Sequence, residues 1–313
     1  MESFRSRSND FGECDESSVL AVGLRPDALS QASAVGATRV PFLTRSAAAA
    51  YNARMTTFTV QPGRVPLLIS LPHDGFFIPA DIAERMHPAA RRSPDTDWHV
   101  ARLYEPLAQA LGASVLKPQA SRYVVDLNRP ADGHALYPGQ RETGLVSTIG
   151  FDGEALYRDG LEPDQDEVRR RIDEYWRPYH QALAQELDRL CDEHGRAVLW
   201  EGHSIRSRVP MLFEGRLPDF NLGTASGASC TPALQERLQS CLASQSRFSF
   251  AVNGRFKGGY ITRHYGAPET GVQAVQLELA QLNYLDEDSF AYDEARASSV
   301  QELIGLLLQT CLA

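Results

Sequence analysis

The chain has 313 residues, 43% apolar and 23% charged, which is enough to bury a sizeable core as one large α/β domain or two modest ones. A net charge of −9 without any Lys/Arg cluster argues against a nucleic-acid-binding surface. No apolar run reaches the roughly 18 residues of a membrane span, and no secretory signal opens the chain, so a cytoplasmic enzyme is the expectation. The five cysteines (Cys14, Cys191, Cys230, Cys241 and Cys311) are scattered and include no C-x-x-C, which argues against a disulfide framework and a cysteine-ligated zinc site.

Residues 1–56 are rich in Ser, Ala and Arg with weak periodicity, which predicts a disordered or peripheral extension before a single domain over 57–313. Within that domain, residues 65–70 read as a buried strand that ends at His73. A helix is expected over 80–86, and a second over 98–111 from the spacing of Val100, Leu103, Leu107 and Leu111. Residues 114–116 and 123–125 read as short strands, and the Gly-, Pro- and Tyr-bearing stretch 130–162 as a long ordered loop over a site.

Pro163-Asp164 opens a long amphipathic helix to about 193, with Gly195 as its stop and Pro178 as an expected kink. A strand over 197–200 follows, then an irregular segment over 204–227. A helix over 232–243, strands over 248–252 and 272–279, and a closing helix over 292–312 complete the pattern. Strands alternating with helices predict a three-layer α/β sandwich around a mixed, mostly parallel sheet.

Ligands gather at the carboxyl ends of strands in open α/β sheets. His73 and His203 both follow apolar strands, and Asp97 begins a helix. Two imidazoles and a carboxylate make a divalent-metal site, most naturally for Zn²⁺, although each residue alone also reads as structural. Asp95 and Glu201 are alternative third ligands. Asn128-Arg129 pairs an amide with a planar guanidinium, which suits a substrate carboxylate; the plainer reading is an ion pair of Arg129 with Asp126. Arg122, Arg141, Arg206, Arg208 and Arg263 lie in similar loops, which points to a small dianionic substrate. Glu278 interrupts the apolar run 275–280: buried, it would be a general base; on a solvent face, an ordinary alternating residue. Nothing in the sequence speaks to oligomeric state.

Seven segments resemble the N-formylglutamate deformylase (N-formylglutamate amidohydrolase) family. They are Ser70-Leu-Pro-His-Asp-Gly75, Asp95-Thr-Asp-Trp-His-Val100, Arg122-Tyr-Val-Val-Asp-Leu-Asn-Arg-Pro130, Leu136-Tyr-Pro-Gly139, Tyr175-Trp-Arg-Pro-Tyr-His180, Glu201-Gly-His-Ser-Ile-Arg206 and Leu217-Pro-Asp-Phe-Asn-Leu-Gly-Thr224. The resemblance spans roughly residues 57–290 and implies hydrolysis of N-formyl-L-glutamate to formate and L-glutamate. It also implies a fold similar to that of zinc-dependent carboxypeptidases. By that resemblance Asn128-Arg129 grips the substrate carboxylate, Glu278 is the general base, and Arg206, Arg208 or Arg263 reads the side-chain carboxylate. Two departures stand out. Glu201 takes the place of an aspartate, and Phe76 stands where the relatives' His-x-x-Glu motif has its glutamate, so Asp97 would supply the missing ligand. The alternatives are hydrolysis of another N-acyl acidic amino acid and a non-catalytic binding protein for acidic amino acids.

Overall fold

A computed structural model of the chain describes residues 57–313 apart from 137, 138, 140 and 141. The expectations for residues 1–56 and for Arg141 lie outside the described residues.

Seven strands form one mixed sheet: β1 (Phe58–Gln61), β2 (Leu67–Ser70), β3 (Ser114–Pro118), β4 (Ala197–Ile205), β5 (Phe220–Gly223), β6 (Phe250–Val252) and β7 (Val272–Ala280). Their order is β1-β3-β2-β4-β7-β5-β6. The central strands β3, β2, β4 and β7 run parallel, while β1 pairs antiparallel with β3 and β5 antiparallel with β7. The connecting helices are α1 (Ala80–Ala83), α2 (Val100–Leu111), α3 (Gln165–Arg171), α4 (Arg177–His194), α5 (Pro232–Ala243), α6 (Tyr260–Tyr265) and α7 (Glu294–Leu312).

Helices α2, α5 and α7 cover one face of the sheet, burying Leu67, Ile69, Val198, Trp200, Val275 and Leu277 beneath them. Helices α4 and α6 cover the other, over Leu68, Leu116, Leu199 and Ala274. This is the expected three-layer sandwich. On the second face the alternation changes character along the strands. Leu68 gives way to Ser70, Ala197 and Leu199 to Glu201 and His203, and Ala274 to Gln276 and Glu278, all buried. Since a strand's alternate residues share a face, the polar set collects at the C-terminal ends of β2, β4 and β7. Register then sets Ser70 beside Glu201, Glu201 beside Gln276, and His203 beside Glu278.

Several boundaries differ from the sequence reading. β4 runs on to Ile205, so His203 lies within a strand rather than in a loop past it; pairing with β7 continues through Ile205 and Ala280 although the apolar run ends at Trp200. Residues 123–125 form a buried turn, not a strand. The long helix is interrupted by a π turn at Ile172–Trp176, and Pro178 enters just where α4 begins, so the wide turn absorbs its missing N–H. Asp164 caps α3 by accepting from Glu167 N–H at 2.8 Å, and Gly195 ends α4 at φ +71°. The irregular segment over 204–227 contains β5, and β1 and α6 carried no sequence signal strong enough to be assigned.

Candidate active site

His73 leaves β2 in a tight turn, and its carbonyl accepts the N–H of Asp97 at 3.1 Å, which ties the two loops together. Asp97 Oδ2 accepts from the Ser204 N–H at 3.1 Å and contacts His203 Nδ1 at 2.9 Å. His73 Nδ1 lies 3.8 Å from the same oxygen, and the two imidazole centroids are 4.8 Å apart. All three side chains are buried, and one donor atom from each lies within 4.8 Å of the others.

The second nitrogen of each imidazole is already engaged. His73 Nε2 donates to Asp126 Oδ1 at 2.7 Å, and His203 Nε2 to Glu201 Oε1 at 2.9 Å. Those carboxylates are themselves held. Asp126 accepts from the Asn128 N–H and the Arg122 guanidinium, and fully buried Glu201 accepts from the Thr262 hydroxyl. With a metal ion bound, the carboxylate behind each imidazole would keep the proton on Nε2 and leave the Nδ1 lone pair for the ion. Two Nδ1 atoms converge with a carboxylate whose other oxygen, Asp97 Oδ1, has no hydrogen-bond partner among the described residues. This donor set fits a divalent metal ion.

Of the three carboxylates considered as a third ligand, Asp97 lies in the cluster. Asp95 accepts from the Tyr123 hydroxyl at 2.6 Å, the Phe151 N–H at 2.8 Å and Arg206 at 3.2 Å, so it braces the loops rather than joining the cluster. Glu201 stands behind His203. Phe76 is 66% exposed and stacks on Trp98, away from the centre.

Electrostatics follow burial and partners. Burial alone would raise the Asp97 carboxyl, but His203, His73 and Arg122 hold it below its usual range. Burial pushes His73 down, and Arg122 adds to this against Asp126 and Asp97. Burial opposes the charge on His203 too, yet Glu201 and Asp97 lift it well above the ordinary histidine. Glu278 is 7% exposed, and burial drives its carboxyl up to about 8 against the pull of His203 and Arg122. The reading of Glu278 as a solvent-face residue fails because β7 is covered on both faces.

These groups border a narrow cleft, with a cavity volume of about 60 Å³, that opens to solvent. His73, Asp97, His203, Glu278, Asn128, Arg129 and Arg122 all line it. Arg129 makes no ion pair with Asp126; its Nε donates to the Thr143 carbonyl at 2.9 Å, and Arg122 takes Asp126 instead. Asn128 holds the Ile261 N–H on Oδ1 at 2.9 Å and sets Nδ2 3.0 Å from His203 Nε2. Arg206, bound to Asp95, and exposed Arg208 and Arg263 do not line the cleft.

Among the lining residues that escaped the sequence reading are Arg255, Gln276 and Glu142. Glu142 brings two buried carboxylate oxygens without hydrogen-bond partners among the described residues, and Thr143 a hydroxyl in the same condition. The loop carrying Arg255 had a usable signal, a basic residue in a Gly-rich turn directly after a strand.

A mixed α/β sheet with a buried His-Asp-His cluster and a raised carboxyl at its strand ends brings together groups suited to a hydrolase. The relatives specify it further. The family model for N-formylglutamate amidohydrolase matches residues 65–285, and the chain belongs to that family. It is 51% identical over 252 residues to the N-formylglutamate deformylase of Pseudomonas putida, covering 80% of this chain and 94% of that one. The N-formylglutamate deformylase of Pseudomonas aeruginosa is 53% identical over the same coverage. Among solved structures, the N-formylglutamate amidohydrolase of Ralstonia eutropha JMP134 superposes with a TM-score of 0.70 at 26% identity, covering 82% of this chain and 97% of that one.

Proposed function

We propose that the chain hydrolyses N-formyl-L-glutamate to formate and L-glutamate, with Zn²⁺ held by His73, Asp97 and His203. The observation that carries this reading is the meeting of that cluster, Glu278 and Arg129 in one small cleft. The name shared by two relatives of half-identical sequence supports the substrate.

When bound, the metal supplies Lewis acidity, acidifying water and polarising a carbonyl. The chain's own residues do the rest. Glu278, with no side-chain hydrogen bond among the described residues, is open to take a proton from the attacking water. The water oxygen bonds to the formyl carbon as the carbonyl electron pair moves onto oxygen; when this oxyanion collapses the C–N bond breaks, and Glu278 passes the proton to the departing amine. Arg122 is fixed by Asp126 at 2.7 Å and stands 3.8 Å from Asp97, where its charge stabilises the developing oxyanion. Arg129, its Nε anchored on the Thr143 carbonyl, pairs with the α-carboxylate, and Asn128 shapes the same wall.

Formate release from N-formyl-L-glutamate, beside N-formyl-L-aspartate and N-acetyl-L-glutamate, tests the assignment. The account predicts efficient turnover of the first and much slower turnover of the others. Binding of N-formyl-L-glutamate without formate release would overturn it in favour of a non-catalytic acidic amino-acid binder; preference for another acyl amino acid would move the substrate.

A further inference from the structure

N-Formyl-L-glutamate carries two carboxylates, and the residues above account for one. We propose that Arg255 pairs with the substrate's side-chain carboxylate and that loop 253–259 is the specificity wall of the cleft. This inference rests on the deformylase reading of the site.

Arg255 lines the same cleft as Arg129, Glu278 and the metal cluster, which the arginines expected for this task do not. Its side chain is held in a set orientation. Nε donates to the Leu212 carbonyl at 2.7 Å, and the guanidinium lies 5.4 Å from the centroid of the Phe256 ring. Phe256, Leu212 and Phe151 line the cleft with it, an apolar surround suited to the methylenes of a glutamyl side chain.

The loop is built to hold that position. Asn253 sits at φ +52°, and its Oδ1 accepts the N–H groups of Thr224 and Ser226 at 2.9 and 3.2 Å. The Lys257 carbonyl accepts from Ala225 N–H at 2.6 Å, and Gly259 N–H donates to Gln276 Oε1 at 2.7 Å. Two glycines permit the close approach this requires. A Cβ on Gly223 would fall 2.6 Å from Gly258 N, and one on Gly259 only 2.3 Å from Asn128 Nδ2. The loop thus abuts the residue beside Arg129, so the two guanidiniums are carried on one braced wall. A planar guanidinium on a fixed backbone recognises a carboxylate by geometry as well as charge, which an ammonium does not match.

The test compares kcat/KM for N-formyl-L-glutamate and N-formyl-L-glutamine in the full chain and in Arg255→Met. The ratio of the two is insensitive to loss of folded protein, which lowers both equally. The wild type is expected to favour the dicarboxylate strongly. Arg255→Met should lose about 100-fold or more on N-formyl-L-glutamate, mostly through KM, and little on N-formyl-L-glutamine. Arg255→Lys should restore part of the preference. A preference that survives in Arg255→Met, or in Arg255→Lys and its wild type equally should the Met variant not fold, overturns the role of Arg255 while the deformylase reading stands. A wild type inactive on N-formyl-L-glutamate overturns both.

Discussion

Replacing Glu278 with Gln exchanges one carboxylate oxygen for an amide nitrogen in a buried position where the side chain makes no hydrogen bond among the described residues. Nothing in the fold depends on that oxygen, and the desolvation cost that raises the carboxyl to about 8 disappears with the charge. The thermal midpoint should therefore hold or rise, and bound metal should be retained, since Glu278 lies outside the His73–Asp97–His203 cluster. What is lost is the proton acceptor, and positioned general bases contribute about 10²–10⁴-fold. Steady-state formate release at saturating N-formyl-L-glutamate should show kcat lower by that factor with KM nearly unchanged. The base works ionised, so wild-type kcat/KM should climb with pH along a limb above the ordinary glutamate range, with a bound cation drawing it below 8. The variant should lack this limb. A kcat within tenfold of wild type at equal metal content, or a loss of metal accompanying the loss of rate, would refute the assignment.

Two further substitutions probe the supports. Asp126→Asn keeps an acceptor for His73 but turns an amide N–H toward Arg122, leaving a buried guanidinium short of its partner. A loss of about 3 kcal/mol in urea unfolding and 10–100-fold in metal affinity is expected, the latter read by competition with a chelator; wild-type values in both would remove the bracing role. His180, stacked on Trp176 and accepting from the Tyr265 hydroxyl at 2.9 Å, donates Nε2–H to the Leu127 carbonyl at 2.9 Å, beside the Asn128-Arg129 loop. Burial, reinforced by His264, lowers it to about 4, so between its unfolded value near 6.5 and pH 4 the unfolded chain binds more protons. Its stabilising contribution is whole above pH 6.5 and should fall by about 3 kcal/mol toward pH 4. His180→Gln should flatten that part of the stability profile, and parallel profiles would contradict the argument.

The strand alternation and helix spacing carried most of the sandwich, because both are local patterns. The site was only partly local. His73, Asp97 and Glu278 could be named from a strand end, an expected helix start and a polar break in an apolar run. The nitrogens turned toward the cluster could not, since the opposite ones are engaged by Asp126 and Glu201, carboxylates contributed by a turn and a strand far apart in sequence. His203 was placed beyond its strand because the apolar run stops at Trp200, whereas backbone pairing with β7 continues on a polar, buried face. Which loop arginines reach the cleft was not legible for a related reason. Arg206 and Arg255 both occupy loops, and only packing tells that one is spent on Asp95 while the other borders the cleft. Phe76, which looked like a missing ligand, is a surface residue stacked on Trp98.

Central to this account is metal-dependent deformylation at His73, Asp97 and His203. The most direct measurement strips the purified chain with a chelator and follows formate release from N-formyl-L-glutamate as Zn²⁺ is added back. Activity should vanish on stripping and return in proportion to metal, saturating at one ion per chain. Full turnover by the metal-free chain would contradict it.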